Sequence, residues 1–168
     1  MSTDQEARAV VDQTTIVRVG TCAALLGSAA VHATVVSEHY AEWPLAGLFF
    51  LGLQVVEVLL AIAVVMAWGR RVAALVVLTS LGTLAVWALS RTVGMPIGPT
   101  ALQERESVGV PDLACVVLEV TAALLVLGWA GSARRHGGAA GSARTMSTVL
   151  GVAAVTLLAV AVTGWGLS

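Results

Sequence analysis

Five apolar runs, at residues 16–36, 45–68, 72–93, 113–130 and 148–167, constrain what this chain can fold into. Each is close to the ~20 residues that carry a helix across about 30 Å of hydrocarbon. Backbone groups in lipid must be satisfied within the segment, so runs of this length predict transmembrane α-helices. The expected fold is all-α: an integral membrane helical bundle with four core transmembrane helices and a fifth C-terminal one. Only 11% of the residues are charged, against about 25% in soluble domains. A net charge of -1 leaves no basic footprint for a nucleic acid. The partner implied is the lipid bilayer, with a homo-oligomer or a larger membrane complex open as further partners.

The polar segments divide the chain. Residues 1–15, with Asp4, Glu6, Arg8 and Asp12, read as a disordered cytoplasmic tail, and 16–130 as the four-helix core. Residues 131–147 (GSARRHGGAAGSARTMS), which include His136, read as a flexible cytoplasmic linker, followed by the fifth helix at 148–168. Arginines flank the first span (Arg8, Arg18), the turn between spans two and three (Arg70, Arg71) and the linker (Arg134, Arg135, Arg144). The positive-inside tendency then places the N-terminus inside and the C-terminus outside. A cleaved signal peptide ending near Val31-His32-Ala33 is the rival reading. Acids outnumber arginines ahead of the run, and the run is long for such a segment.

Ionisable side chains within spans are costly and by default mark function. His32 falls about four residues below the outer end of span one. Glu57 falls near the middle of span two, with Gln54 one turn away on the same face, as a neutral hydrogen-bonded pair or a polar path. Arg91 and Glu119 belong to spans three and four. The outer connections add Glu38, His39 and Glu42, and then Glu104, Glu106 and Asp112. Pro44 fits the first turn of span two, and Asp112 fits the N-cap of span four. Arg91 has Glu119, Asp112 and Glu106 as candidate ion-pair partners.

Two histidines and several carboxylates near one face suit a divalent transition metal such as Cu, Zn or Fe. His32, His39, Glu38, Glu42, Asp112 and Glu119 are the candidate ligands, with Arg91 and Glu106 holding them in place. The spacing is not HExxH, and the Glu-x-x-His pair of di-iron bundles appears only reversed, as His39-x-x-Glu42. Haem is disfavoured because no second histidine within a span matches His32 in depth. Cys22 and Cys115 fall in opposite halves of the bilayer, differing in depth by about 15 Å. They read as small core residues without a disulfide.

The residues His32, Glu38-His39, Glu42-Trp43, Gly47-Leu-Phe49-Phe50, Arg91-Thr92-Val-Gly94-Met-Pro96 and Glu106-Ser-Val-Gly109-Val-Pro-Asp112 form a recurring pattern. In these the chain resembles small multi-span membrane proteins of actinobacterial type. The resemblance covers about residues 16–130 and implies one structural unit in a bacterial cell membrane, without an activity. By size and helix count the chain also resembles DoxX-like four-helix membrane proteins, with no shared motif. The expected function is an outward-facing metal-binding or metal-handling site. The alternatives are a small transport component using Glu57 and Glu119, or an accessory subunit of a membrane complex. An enzyme would require an open coordination position.

Overall fold

The structure, a computed structural model, describes residues 3–135, with side chains described over 13–132. His136, the remainder of the linker and the fifth apolar run lie outside the described residues. The described chain consists of α1 (Thr3–Glu42), α2 (Pro44–Met66), α3 (Arg70–Thr92), a one-turn α4 (Thr100–Gln103) and α5 (Val110–Arg135). The 4 helices α1, α2, α3 and α5 are long and apolar enough to cross a membrane.

The first helix is longer than its apolar run at both ends. Residues 3–15, expected as a disordered tail, are helical. They hold no Gly or Pro. At the other end the helix continues past Val36 to Glu42, because nothing breaks it before Pro44. The residue ahead of a proline is pushed out of the helical region. Trp43 is accordingly extended, at φ -155 and ψ 114, and Pro44 opens α2 as expected. One residue thus separates two antiparallel helices. Trp43 N donates to His39 O at 2.8 Å, and Ala46 N donates to Trp43 O at 2.9 Å.

The connection from α3 to α5 folds over the same end of the bundle. Gly94 and Gly98 take φ of 91° and 105°, which side chains rarely adopt. Met95 N donates to Leu102 O at 2.8 Å and Glu106 N donates to Ser90 O at 3.2 Å, tying the connection to itself and to α3. The helix α5 starts earlier than expected. Pro111 fits its first turn, where a missing N–H costs nothing. Asp112 is therefore inside the helix rather than its N-cap, and its Oδ2 accepts from Gly109 N at 2.7 Å. That is the reach-back half of a capping box. The helix runs on to Arg135, so the linker residues 131–135 are helical.

The bundle is apolar outside and partly polar inside. Leu48, Val55, Leu59, Ile62, Leu78 and Leu124 are exposed, while Thr21, Ser28, His32, Glu57, Ser80 and Glu119 are buried. This inversion suits a lipid solvent, and the chain is a multi-pass membrane protein. Without a hydrophobic drive between helices in lipid, close packing of small residues holds them together. Gly20 and Gly27, one heptad apart on α1, leave notches for Leu125 and Leu118 of α5. Arg18 donates from Nε to Val64 O at 3.1 Å, and its Nη2 reaches Val65 O. These bonds satisfy carbonyls of the last turn of α2. Trp68 and Trp129 meet edge to face at 4.8 Å at this Arg70 end. Contact is extensive between α1 and α2, between α1 and α5 and between α3 and α5, and sparse between α2 and α3.

Gly47 lies where α2 passes Tyr40, and a Cβ there would overlap the Tyr40 main chain, whereas Gly52 has nothing nearby. Gly47→Ala should destabilise the folded protein by about 1–3 kcal/mol. Gly52→Ala should leave stability unchanged or raise it slightly. Thermal or denaturant unfolding of the detergent-solubilised variants measures both.

Candidate functional site

Helical spacing brings the buried polar residues to one level. Ser28 and His32 are i,i+4 on α1, and Cys115 and Glu119 are i,i+4 on α5, so each pair shares a face. Because α1 runs to Glu42, His32 lies ten residues from its end, roughly 15 Å in. Glu119 lies roughly 14 Å into α5 from Val110. Glu57 lies roughly 20 Å into α2 from Pro44. The expected separation between a shallow outer site and a deep Glu57 is therefore corrected: His32, Glu57 and Glu119 meet within the bundle.

His32 Nε2 lies 3.3 Å from Glu57 Oε1 and 3.5 Å from Cys115 Sγ. Ser28 Oγ lies 3.0 Å from Glu57 Oε1, 2.8 Å from Glu119 Oε1 and 3.5 Å from Cys115 Sγ. Glu119 also sits against Glu57 and Ser80. One ligand atom each from His32, Cys115 and Glu119 falls within 4.8 Å of the others. Glu57 is 0% exposed and Glu119 1%.

This cluster is short of hydrogens. A serine hydroxyl has one hydrogen to donate, so Ser28 can satisfy only one of its two carboxyl neighbours. The other contact needs a proton on the carboxyl or a cation nearby. Glu57 Oε2 and Glu119 Oε2 are buried with no hydrogen-bond partner. An unsatisfied buried polar atom costs about 1–3 kcal/mol. The deficit is thus about that of two such atoms, and it is concentrated at one point.

Nearer the Trp43 end, Arg91 forms a second polar layer that is better satisfied. Its Nη1 pairs with Glu106, and its Nη2 donates to Asp112 Oδ1 at 2.6 Å. Asp112 thus spends one oxygen on Arg91 and the other on Gly109 N. This layer fastens the 93–109 connection onto α3 and α5. Between the two layers is a cavity of about 350 Å³, lined by both of them and by apolar side chains of α1, α2 and α3. Beyond the cluster, toward the Arg70 end, Leu25, Leu60, Ala61, Val64, Val76 and Val126 pack into an apolar core.

Of the six ligand candidates, only His32 and Glu119 come together. Glu38 and Glu42 are exposed at the end of α1. His39 Nδ1 donates to Val35 O at 2.9 Å. Its ring packs on Phe50 at 4.4 Å, and Phe50 also meets His32 at 5.6 Å. Asp112 is committed to Arg91, and Glu104 is exposed. Gln54 is half-buried, and Glu57 bonds to α1 rather than to Gln54. Sequence reasoning missed Cys115 and Ser28, though spacing signals both: each is i,i+4 from an ionisable residue already singled out. Both cysteines are free thiols, as expected.

Comparison with protein-family models, with curated proteins and with solved structures finds no match to this chain. The fold and site therefore define its class: a multi-pass α-helical membrane protein with a buried His/Cys/Glu cluster.

Arg91→Ala would leave Glu106 and Asp112 without their cation and release the 93–109 connection. Loss of about 1–3 kcal/mol of local stabilisation should raise tryptic cleavage at Arg105, which is exposed, by about fivefold to a hundredfold. Timed proteolysis in detergent measures this, and Arg91→Lys should fall between the two rates.

Proposed function

We propose that this protein binds a divalent transition metal at His32, Cys115 and Glu119, with Glu57 as a fourth ligand. The observation that carries this reading is the spacing of the donor atoms. Tetrahedral bonds of about 2.0–2.3 Å put neighbouring ligand atoms roughly 3.3–3.8 Å apart. His32 Nε2 already lies 3.5 Å from Cys115 Sγ and 3.3 Å from Glu57 Oε1. The remaining movement is a contraction of Glu119 toward the others.

The donor chemistry supports the same reading. Imidazole and thiolate favour Zn, Cu and Fe over Mg or Ca. With one thiolate, two carboxylates and a neutral imidazole, a divalent ion leaves a net charge of -1 at the site, against -3 for the same ionised ligands without it, which lowers the cost of placing them among helices in lipid. The cation would also serve the unpartnered carboxyl oxygens. This places the metal deeper than an outward-facing His/carboxylate site, and it uses His32 and Glu119 without His39, Glu38, Glu42 or Asp112.

A transport role for Glu57 and Glu119 needs a polar path on both sides of the cluster. Toward the Arg70 end the apolar core of Leu25, Leu60, Val64, Val76 and Val126 lies across that path. This favours a binding site reached from the Trp43 end over a conduit.

Elemental analysis of the detergent-purified protein tests the proposal. One equivalent of Zn, Cu or Fe per chain is expected, lost in both His32→Ala and Cys115→Ser. Glu57→Gln should weaken binding by about tenfold to a hundredfold, while His39→Ala and Glu42→Gln should keep full occupancy. A chain that binds no transition metal after reloading, or one whose metal survives Cys115→Ser and His32→Ala, would overturn the reading.

A further inference from the structure

The cavity between the two polar layers has a composition that the metal reading does not use. The chain has eight aromatic residues (five Trp, two Phe and one Tyr). Four of them, Trp43, Phe49, Phe50 and Trp87, line this one cavity. At about 350 Å³ it lies within the range of sites for small organic molecules. Its walls include residues of α2 and α3, two neighbouring helices that touch each other sparsely. A lipid-soluble molecule can therefore reach it from the hydrocarbon, between those two helices.

Polar groups on the cavity residues narrow the occupant further. Trp87 Nε1 and Arg91 Nε are buried N–H donors with no partner. They belong to residues one turn apart on α3 that both line the cavity. Donors of this kind call for an acceptor oxygen. An anionic headgroup is disfavoured, because the Arg91 charge is already met by Glu106 and Asp112. A plain hydrocarbon leaves both donors unpaired. A neutral ring bearing carbonyl oxygens answers both demands, since its face stacks on aromatic walls and its oxygens accept hydrogen bonds.

We infer that the cavity is a binding site for a planar, lipid-soluble carbonyl ring of the quinone class, taken from the bilayer between α2 and α3. The ring lies against Trp43, Phe49, Phe50 and Trp87, with a carbonyl toward Arg91 and Trp87. A metal at the cavity floor is not required, so chelator-treated protein binds the ring with the same stoichiometry.

The test is titration of the full-length protein in detergent with a decyl-substituted benzoquinone, read by quenching of tryptophan fluorescence. Saturable quenching near one quinone per chain is expected, with 1-decanol and decanoate failing to displace it. Ala46 lines the cavity, and Ala85 faces outward on α3. Ala46→Phe should weaken binding at least tenfold, while Ala85→Phe leaves it unchanged. Quenching that rises without saturation would overturn the inference, as would undiminished binding in a folded Ala46→Phe variant. Displacement by decanol would do the same, since the cavity would then be selecting an alkyl chain rather than a ring. This competition uses only the unaltered protein and is decisive even if Ala46→Phe fails to fold. Metal content measured on the same samples keeps the fate of the metal proposal separate.

Discussion

A carboxyl group inside a bilayer must find a partner within the protein, and this chain places two of them at one point. An acidic residue at the centre of a membrane helix costs roughly 2.5–3.5 kcal/mol on insertion scales. Glu57 and Glu119 meet that cost with the same partner, Ser28, and Glu57 adds His32. The arrangement of α1, α2 and α5 follows from this. Their polar faces converge on the cluster, and the glycine notches and apolar core close the helices around it.

The two polar layers differ in how completely they are satisfied. Around Arg91 both acidic partners are engaged, and the two terminal nitrogens of the guanidinium hold the 93–109 connection while Nε is left without a partner. Around Ser28 and His32 two buried carboxyl oxygens, Glu57 Oε2 and Glu119 Oε2, lack partners. The first layer behaves as a fastening. The second retains unmet bonding capacity in a sheltered place, which is the condition for binding something small and cationic. The cavity lies between them, so whatever occupies it touches the fastening on one side and the unmet groups on the other.

Much of the fold was legible in the sequence, because run length and lipid leave few alternatives. The four membrane-spanning helices and the proline start of α2 follow from local rules. The site was half legible. His32, Glu57 and Glu119 stand out as ionisable groups in apolar runs, but their common level depended on where α1 ends. That end is set by Pro44 acting on Trp43 rather than by the last apolar residue, so depth counted from Val36 put His32 too near the surface. Cys115 and Ser28 carry no charge and resemble ordinary packing residues. Only the pairing of α1 with α5 gives them a role, and such pairing is a tertiary fact. Glu38, His39 and Glu42 form a conspicuous sequence cluster, yet Glu38 and Glu42 share an exposed face while the His39 ring packs on Phe50, which also meets His32.

The single-residue turn at Trp43 bears on the order of assembly. Ser28, His32 and Glu57 belong to one helical hairpin, with only 29 residues between Ser28 and its carboxyl partner. Cys115 and Glu119 join from 87 and 91 residues away. At a synthesis rate of about 5–20 residues per second, Glu119 follows Glu57 by roughly 3–12 s. By then the hairpin contains both Ser28 and His32, the residues that contact Glu57 in the folded protein, so this acid has its partners within the hairpin. The second acid has none on α5 itself and meets them only by docking onto the hairpin. Translation thus delivers a self-contained half of the site first, and the arrival of α5 completes both the bundle and the cluster in one step.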